Sequence, residues 1–210
     1  MMKILWEDSW FVAVSKPSGL LSVPGRGPEK ADCVIRRLLE LYSWIREVHR
    51  LDQPTSGILL LARAPESHRE MSMAFANRQV EKEYVAMTEQ RPLRGPNVED
   101  FQEPQGNQWG CIVLYQSRDW ERRPRQHINS NGKRAETLWK DDGEGRLRLR
   151  PFTGRTHQLR LALASCGAPI CGDELYGGSQ ASRLALHASW LRFTHPFTSE
   201  VIDLRDEVPF

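Results

Sequence analysis

Apolar residues in this chain come in short runs, each closed by a turn signal, and that rhythm commits it to a strand-rich fold with frequent hairpins. Ile4 to Trp6 and Phe11 to Ser15 flank the polar break Glu7-Asp8-Ser9 and lead into the turn Lys16-Pro17-Ser18-Gly19. Ile58 to Ala62 is a continuous apolar run of the length expected for a buried strand, and Tyr84 to Met87, Cys111 to Tyr115 and Ala135 to Trp139 read as strands too. In Arg146 to Arg150 the leucines Leu147 and Leu149 alternate with three arginines, which predicts one buried face and one basic face. Asp142-Gly143 just before it is a hairpin turn signal. Leu184 to His187, Leu191 to Thr194 and Val201 to Leu204 complete the strands.

Helical spacing appears in three places. Cys33 to Tyr42 is amphipathic, Pro65 to Asn77 starts on a proline suited to a first turn and sets Met71 and Phe75 four apart, and Thr156 to Ser165 is closed by Gly167 as a C-terminal cap. Strands outnumber helices and no βαβ rhythm is present. The expected class is α+β with a mixed, mainly antiparallel sheet in two halves flanked by helices. With 210 residues and 40% hydrophobic composition there is material for one core, or for two small halves of a single domain spanning 1–210. Residues 91–108, with three prolines and two glycines, are expected to be the loop that joins those halves.

Charge is unevenly placed. The net is +2, yet Arg118 to Arg160 holds twelve basic against six acidic residues, which makes it a candidate polyanion-binding stretch. The segments Arg122-Arg123-Pro124-Arg125 and Lys133-Arg134, with Trp120 and His127 interleaved, suit an RNA phosphate track in which Arg125 and Lys133 are the proposed contacts. A solvated basic face fits the same composition. No run approaches the roughly 20 apolar residues of a membrane span, and the start turns acidic before a signal-peptide core could form, so a cytoplasmic protein is expected. The four cysteines form no C-x-x-C pair, which points to reduced thiols and no metal site.

The most informative stretch is His49-Arg50-Leu51-Asp52-Gln53-Pro54-Thr55-Ser56-Gly57 followed by the apolar run from Ile58. It places a carboxylate on a turn that feeds a buried strand. On spacing alone Asp52 is as well read as a turn former. The sequence H-R-L-D-x-x-T-S-G resembles the signature of the RluA-type pseudouridine synthases. Other blocks similar to that family follow in order: Lys16-Pro17-Ser18-Gly19-Leu20, Lys82-Glu83-Tyr84-Val85-Ala86, Thr153-Gly154-Arg155-Thr156-His157-Gln158-Leu159-Arg160, Leu184-Ala185-Leu186-His187-Ala188 and Thr194-His195-Pro196.

That resemblance implies the family fold, with an active-site cleft between the halves, and an isomerase that converts uridine in structured RNA to pseudouridine without a cofactor. By the same likeness Asp52 is the catalytic carboxylate, Arg155 its cationic partner, and Tyr84 the ring that stacks on the target base and is a candidate to take its C5 proton. An opposite charge within about 4 to 6 Å favours the ionised carboxylate. Leu186 corresponds to the apolar wall of the uracil pocket, and Arg50 to an arginine that enters the base stack where the nucleotide has left it. Lys16 belongs to the substrate-binding set and is chiefly structural. Asp119-Trp120 with Arg123-Pro124-Arg125-Gln126 is similar to the branch that modifies uridine 32 of a tRNA anticodon stem-loop and a uridine of 23S rRNA, so tRNA, 23S rRNA or both are the expected partners of a monomer. The catalytic blocks begin too near Met1 for an S4-type RNA-binding domain to precede them. Leu161-Ala162 and Ala168 depart from the family pattern, which carries histidines there. Two readings of other classes remain in view: a noncatalytic RNA-binding or RNA-chaperone protein on the same fold, and a nucleosidase, for which no second acid is evident.

Overall fold

The computed structural model describes residues 2–210. In chain order its strands and helices are β1 (Lys3–Glu7), β2 (Phe11–Lys16), α1 (Val34–Leu38), β3 (Arg46–Glu47), β4 (Ser56–Ala62), α2 (Pro65–Ala76), β5 (Glu81–Met87), β6 (Asp100–Gln102), β7 (Gly110–Arg118), β8 (Gln126–Ile128), β9 (Lys133–Asp141), β10 (Arg146–Pro151), α3 (Gln158–Ser165), β11 (Leu186–Thr194) and β12 (Val201–Arg205). The chain divides into two compact units, one made of residues up to Lys82 together with His187–Phe210, the other of Glu83–Leu186. The class is α+β with mostly antiparallel pairing, as expected. The division is not where the proline-rich segment suggested. Residues 91–108 lie wholly in the second unit and include the edge strand β6, whereas the chain changes units inside β5 and β11, where a continuous strand gives no boundary signal.

In the first unit the strands run β1-β2-β4-β11, with β12 on β11 and β3 on β4. Strand β2 pairs antiparallel with β4 from Phe11↔Ala62 to Lys16↔Gly57, and β11 runs parallel to β4 through His187↔Ser56 and Ala188↔Gly57. All seven residues of β4 are buried, which is why it reads as an unbroken apolar run. Phe11, Ala13, Ile58, Leu60 and Ala62 form a core with Met71 of α2 and with Leu191, Phe193 and Leu204. Pro65 opens α2, and the Ser67 hydroxyl accepts the Ala64 N–H at 3.2 Å and lies 2.9 Å from the Trp10 carbonyl, fixing the helix start to the β1–β2 turn. His195 Nδ1 accepts the N–H groups of Phe197 and Thr198, so its proton is on Nε2, 2.9 Å from Asp8 Oδ2. Asp8 Oδ1 accepts the N–H groups of Trp10 and Phe11 at 2.7 Å each. One carboxylate therefore ties the chain's first and last hairpins together. Helix α1 is shorter than the spacing over 33–42 predicts, because Leu39 and Leu41 are 50% and 61% exposed and give the next turn nothing to bury.

The second unit is a meander ordered β5-β10-β9-β7-β6, with β8 on the end of β7. Leu147 and Leu149 are buried, as their alternation predicts, beside fully buried Ile112, Leu114 and Trp139. Helix α3 packs on β7, β9 and β10. It ends at Gly167, whose φ of +71° suits a residue without a Cβ, while the Ala168 N–H closes on the Leu163 carbonyl at 3.0 Å. Arg160 of α3 makes a buried bidentate pair with Asp173, both contacts 2.7 Å. Among the described residues no helix is long and apolar enough to cross a membrane.

Candidate active site

In the first unit Asp52 occupies a turn that is held from below at almost every backbone oxygen. Lys16, fully buried, directs its Nζ to the carbonyls of Leu20 (2.7 Å), Pro17 (3.0 Å) and Gln53 (3.1 Å). The Gly19 N–H donates to the Gln53 carbonyl at 2.9 Å, and the Ser18 hydroxyl donates to that of Pro54 at 2.6 Å. Ser22 Oγ donates to the Leu51 carbonyl at 2.8 Å and accepts the Leu51 N–H at 3.1 Å. The Thr55 N–H closes the turn on the Asp52 carbonyl at 3.1 Å. The Lys-Pro-Ser-Gly-Leu-Leu-Ser segment is thus a rigid seat for Leu51-Asp52-Gln53-Pro54, and the Asp52 side chain is left half-buried at its edge. Lys16, expected in the substrate-binding set and to be chiefly structural, has a supporting place here through its burial and its three carbonyl contacts. Arg50 is exposed beside it.

Behind the turn, the first residue of β4 enters a buried polar chain. Ser56 Oγ lies 2.8 Å from His187 Nδ1, His187 Nε2 lies 3.4 Å from Asp206 Oδ2, and Ser15 Oγ donates to the same oxygen at 2.5 Å. The order Ser-His-Asp is that of a hydrolase triad, but Ser56 and His187 are 3% and 2% exposed, so no substrate carbonyl can reach the hydroxyl. The chain is a brace between β2, β4, β11 and the C-terminal segment. Burial pushes the Asp206 carboxyl up, and the hydrogen bonds from His187 and Ser15 outweigh it, leaving that group below its ordinary range.

His49, which opens the motif, stacks on Phe75 at 4.7 Å and accepts the Leu60 N–H on Nε2 at 3.0 Å. Burial pushes its pKa down to about 3, and the nearby Lys82 cation adds to this. Because the folded value lies below the ordinary 6.5, the contribution is complete above pH 6.5 and is lost as pH falls toward 3. Between pH 6.5 and 5 the stability advantage of the native protein over His49→Gln is expected to shrink by about 2 kcal/mol, at about 1.4 kcal/mol per pH unit, in urea titrations of both proteins. A constant difference would show that His49 is not held neutral.

In the second unit Arg155 sits on an exposed loop with a comparably dense underside. Gln158 Oε1 accepts the Arg155 N–H at 3.0 Å and the Thr153 hydroxyl at 2.7 Å, while its Nε2 donates to the Glu136 carbonyl at 2.8 Å. Gln116 Nε2 donates to the Thr156 carbonyl at 2.8 Å, and Arg155 Nε donates to the Arg134 carbonyl at 3.1 Å. His157, left-handed at φ +54°, places Nδ1 3.0 Å from the Tyr176 hydroxyl, which also accepts the Gln126 N–H at 2.9 Å. Arg125 lies over the Tyr176 ring at 5.4 Å, and Lys133 stands opposite Gln116 in the β7–β9 pairing. Arg125, Lys133 and Arg155 are therefore neighbours through Tyr176 and Gln116. Tyr84 is half-buried on β5, opposite Leu149 of β10, and Leu186 is buried at the start of β11. Gln116 and Tyr176 are not marked by the sequence, since a buried glutamine or tyrosine carries no periodic signal; Gln126 and Gln158 are marked only as members of the blocks around Arg125 and Arg155.

Part of the expected basic track is neutralised. Arg148 pairs with Asp142 at 2.7 Å, Arg150 with Glu83 at 3.0 Å, and Arg134 with Glu136. Among the described residues no group of three or more His, Cys, Asp or Glu is placed to hold a metal ion.

Comparison with known proteins defines the class. Residues 10–165 match the family described as RNA pseudouridylate synthase, and the chain belongs to that family. Within it the chain is similar to the dual-specificity RNA pseudouridine synthase RluA of Yersinia pestis, 37% identical over 219 aligned residues that cover all of both chains. It is likewise similar to the protein of that name from Pasteurella multocida, 39% identical over 209 residues, covering 95% of this chain and 90% of that one. Among solved structures, human RNA pseudouridylate synthase domain containing 1 shares the fold, with a TM-score of 0.73 at 24% identity, covering all of this chain and 84% of the other.

Proposed function

We infer that this protein isomerises a specific uridine to pseudouridine in a structured RNA, with a tRNA anticodon stem-loop (uridine 32), 23S rRNA or both as substrate. The observation that carries this reading is the family match over residues 10–165, which takes in Asp52, Tyr84 and Arg155 together with the supports beneath Asp52 and Arg155. The reaction breaks the N1–C1′ bond of uridine, turns the freed uracil, joins C5 to C1′, releases the C5 proton to solvent and takes one proton from solvent onto N1. Atoms and electrons balance without a redox partner. In this assignment Asp52 is the carboxylate that acts at the sugar or base, Arg155 is its cationic partner, Tyr84 stacks on the uracil and receives the C5 proton, and Leu186 walls the pocket. A rigid turn suits the task, because a reacting carboxylate is effective only when held within hydrogen-bond or bonding reach of its target. Arg50, exposed at the turn, is assigned to fill the stack vacated by the flipped nucleotide, offsetting part of an unstacking cost of about a few kcal/mol.

The test is product analysis. Transcripts of a tRNA and of 23S rRNA are incubated with the protein, digested to nucleosides and separated. Pseudouridine with no free uracil is the expected result. Free uracil would make the protein a nucleosidase, and unchanged uridine in both RNAs would contradict the assignment.

A further inference from the structure

The loop between β7 and β8 presents an aromatic surface that nothing assigned above uses. Trp120 is 64% exposed at its tip, with the Arg123 guanidinium 4.2 Å and the Arg118 guanidinium 5.0 Å from the ring centroid. The loop is stiffened by its own hydrogen bonds. The Asp119 N–H donates to the Arg125 carbonyl at 3.0 Å, the Arg125 N–H to that of Arg122 at 2.9 Å, and Asp119 Oδ1 accepts the N–H groups of Glu121 and Arg122. Charge pairing separates this loop from the arginines of β9 and β10. Arg134, Arg148 and Arg150 are each paired with a carboxylate, whereas among the described residues Arg118, Arg122 and Arg123 have no acidic partner. A large indole held open in an ordered loop among unpaired guanidiniums is unusual, since tryptophan is on average well buried.

We propose that Trp120 is a stacking platform for an unpaired base in the loop of the substrate RNA, with Arg118, Arg122 and Arg123 holding the phosphates that flank that base. This rests on the RNA-modifying reading above and adds to it a second contact point, apart from the flipped uridine. A guanidinium over an exposed indole is held more weakly than a stacked base, so the base displaces it and the freed guanidinium turns to the phosphate. The platform is built into the Arg155 neighbourhood: the β7–β8 loop ends at Gln126, whose N–H is fixed by Tyr176, and Tyr176 in turn holds His157, two residues from Arg155. A base seated on Trp120 thereby sets the register of the RNA against the Arg155 loop. Any base has a stacking face, so the platform selects an unpaired loop over a duplex.

The experiment uses the full-length protein carrying Asp52→Asn, which keeps the RNA unreacted, alone and combined with Trp120→Ala or Trp120→Phe. The probes are a tRNA anticodon stem-loop RNA with 2-aminopurine at successive loop positions, and the same loop strand annealed to its complement. Trp120→Ala is expected to weaken stem-loop binding by about 5- to 150-fold and to relieve the 2-aminopurine quenching at one loop position, whereas Trp120→Phe recovers most of both and duplex binding is unchanged. Equal loss for stem-loop and duplex, or full affinity and quenching in Trp120→Ala, overturns the platform while leaving the isomerase reading intact if the unsubstituted protein still makes pseudouridine. No binding and no pseudouridine with the unsubstituted protein overturns both.

Discussion

Asp52→Asn is expected to lower the rate of pseudouridine formation by about 10⁴-fold or more, the scale on which loss of a reacting group acts, with RNA affinity held within about a factor of ten. The substitution is nearly isosteric and leaves the turn its supports. Contacts to the backbone of residues 51–54 hold it: Ser22 on Leu51, Thr55 on the Asp52 carbonyl, Lys16 and Gly19 on Gln53, and Ser18 on Pro54. Phosphate contacts dominate RNA affinity, and a carboxylate contributes little to them. The check is a single-turnover time course beside a binding titration on the same RNA. Activity within about tenfold of the native protein would remove Asp52 from the chemistry.

The second large effect is on folding. Gly57→Ala is expected to cost about 4 kcal/mol or more, seen as a fall of at least about 8 °C in thermal unfolding or as failure to accumulate folded protein. Gly57 has φ +112° and lies where the parallel pair of β4 and β11 brings backbones together; a Cβ there would stand 2.3 Å from the Ala188 carbonyl oxygen and 2.5 Å from its nitrogen. Backbone atoms cannot yield as a flexible side chain would. The shift would spread to Ser56 and its bond to His187, and so to the turn that begins at Asp52. An alanine variant that melts within about 2 °C of the native protein would show that this strand pair has more room than the geometry indicates.

The glycine also illustrates what could be read before the structure. Thr55-Ser56-Gly57 stood out as part of a motif, and the buried run after it was legible because every residue of β4 is apolar or small. What the sequence pattern did not contain was the reason for the glycine, which lies in a strand 131 positions away from it, as the Ala188↔Gly57 pairing shows. Long-range contacts of this kind leave no local period. The same holds for the supports of Arg155. Gln116, Gln126 and Tyr176 come from β7, β8 and the segment after α3, and each looks like an ordinary polar residue in its own neighbourhood. Strands of two or three residues, such as β3, β6 and β8, are too short for alternation to register. The expected strands 184–187 and 191–194 are one strand from Leu186, because Leu184 and Ala185 lead into it and the backbone of Ala185 is bonded instead to Cys171 and Met87. Charge was legible in amount but not in use: Arg148 and Arg150 alternate with buried leucines as predicted, yet their pairing with Asp142 and Glu83 depends on which acids the turn and β5 place beside them.

The central claim, that this protein forms pseudouridine through Asp52, is tested most directly by tritium release from transcripts labelled at uridine C5, with the native protein and Asp52→Asn run side by side on tRNA and 23S rRNA. Replacing the C5–H bond with a bond to C1′ must expel that hydrogen into water. Release from one or both RNAs by the native protein, abolished in Asp52→Asn, is the predicted result and identifies the substrate class. Release that persists in the variant, or none from either RNA with the native protein, would contradict it.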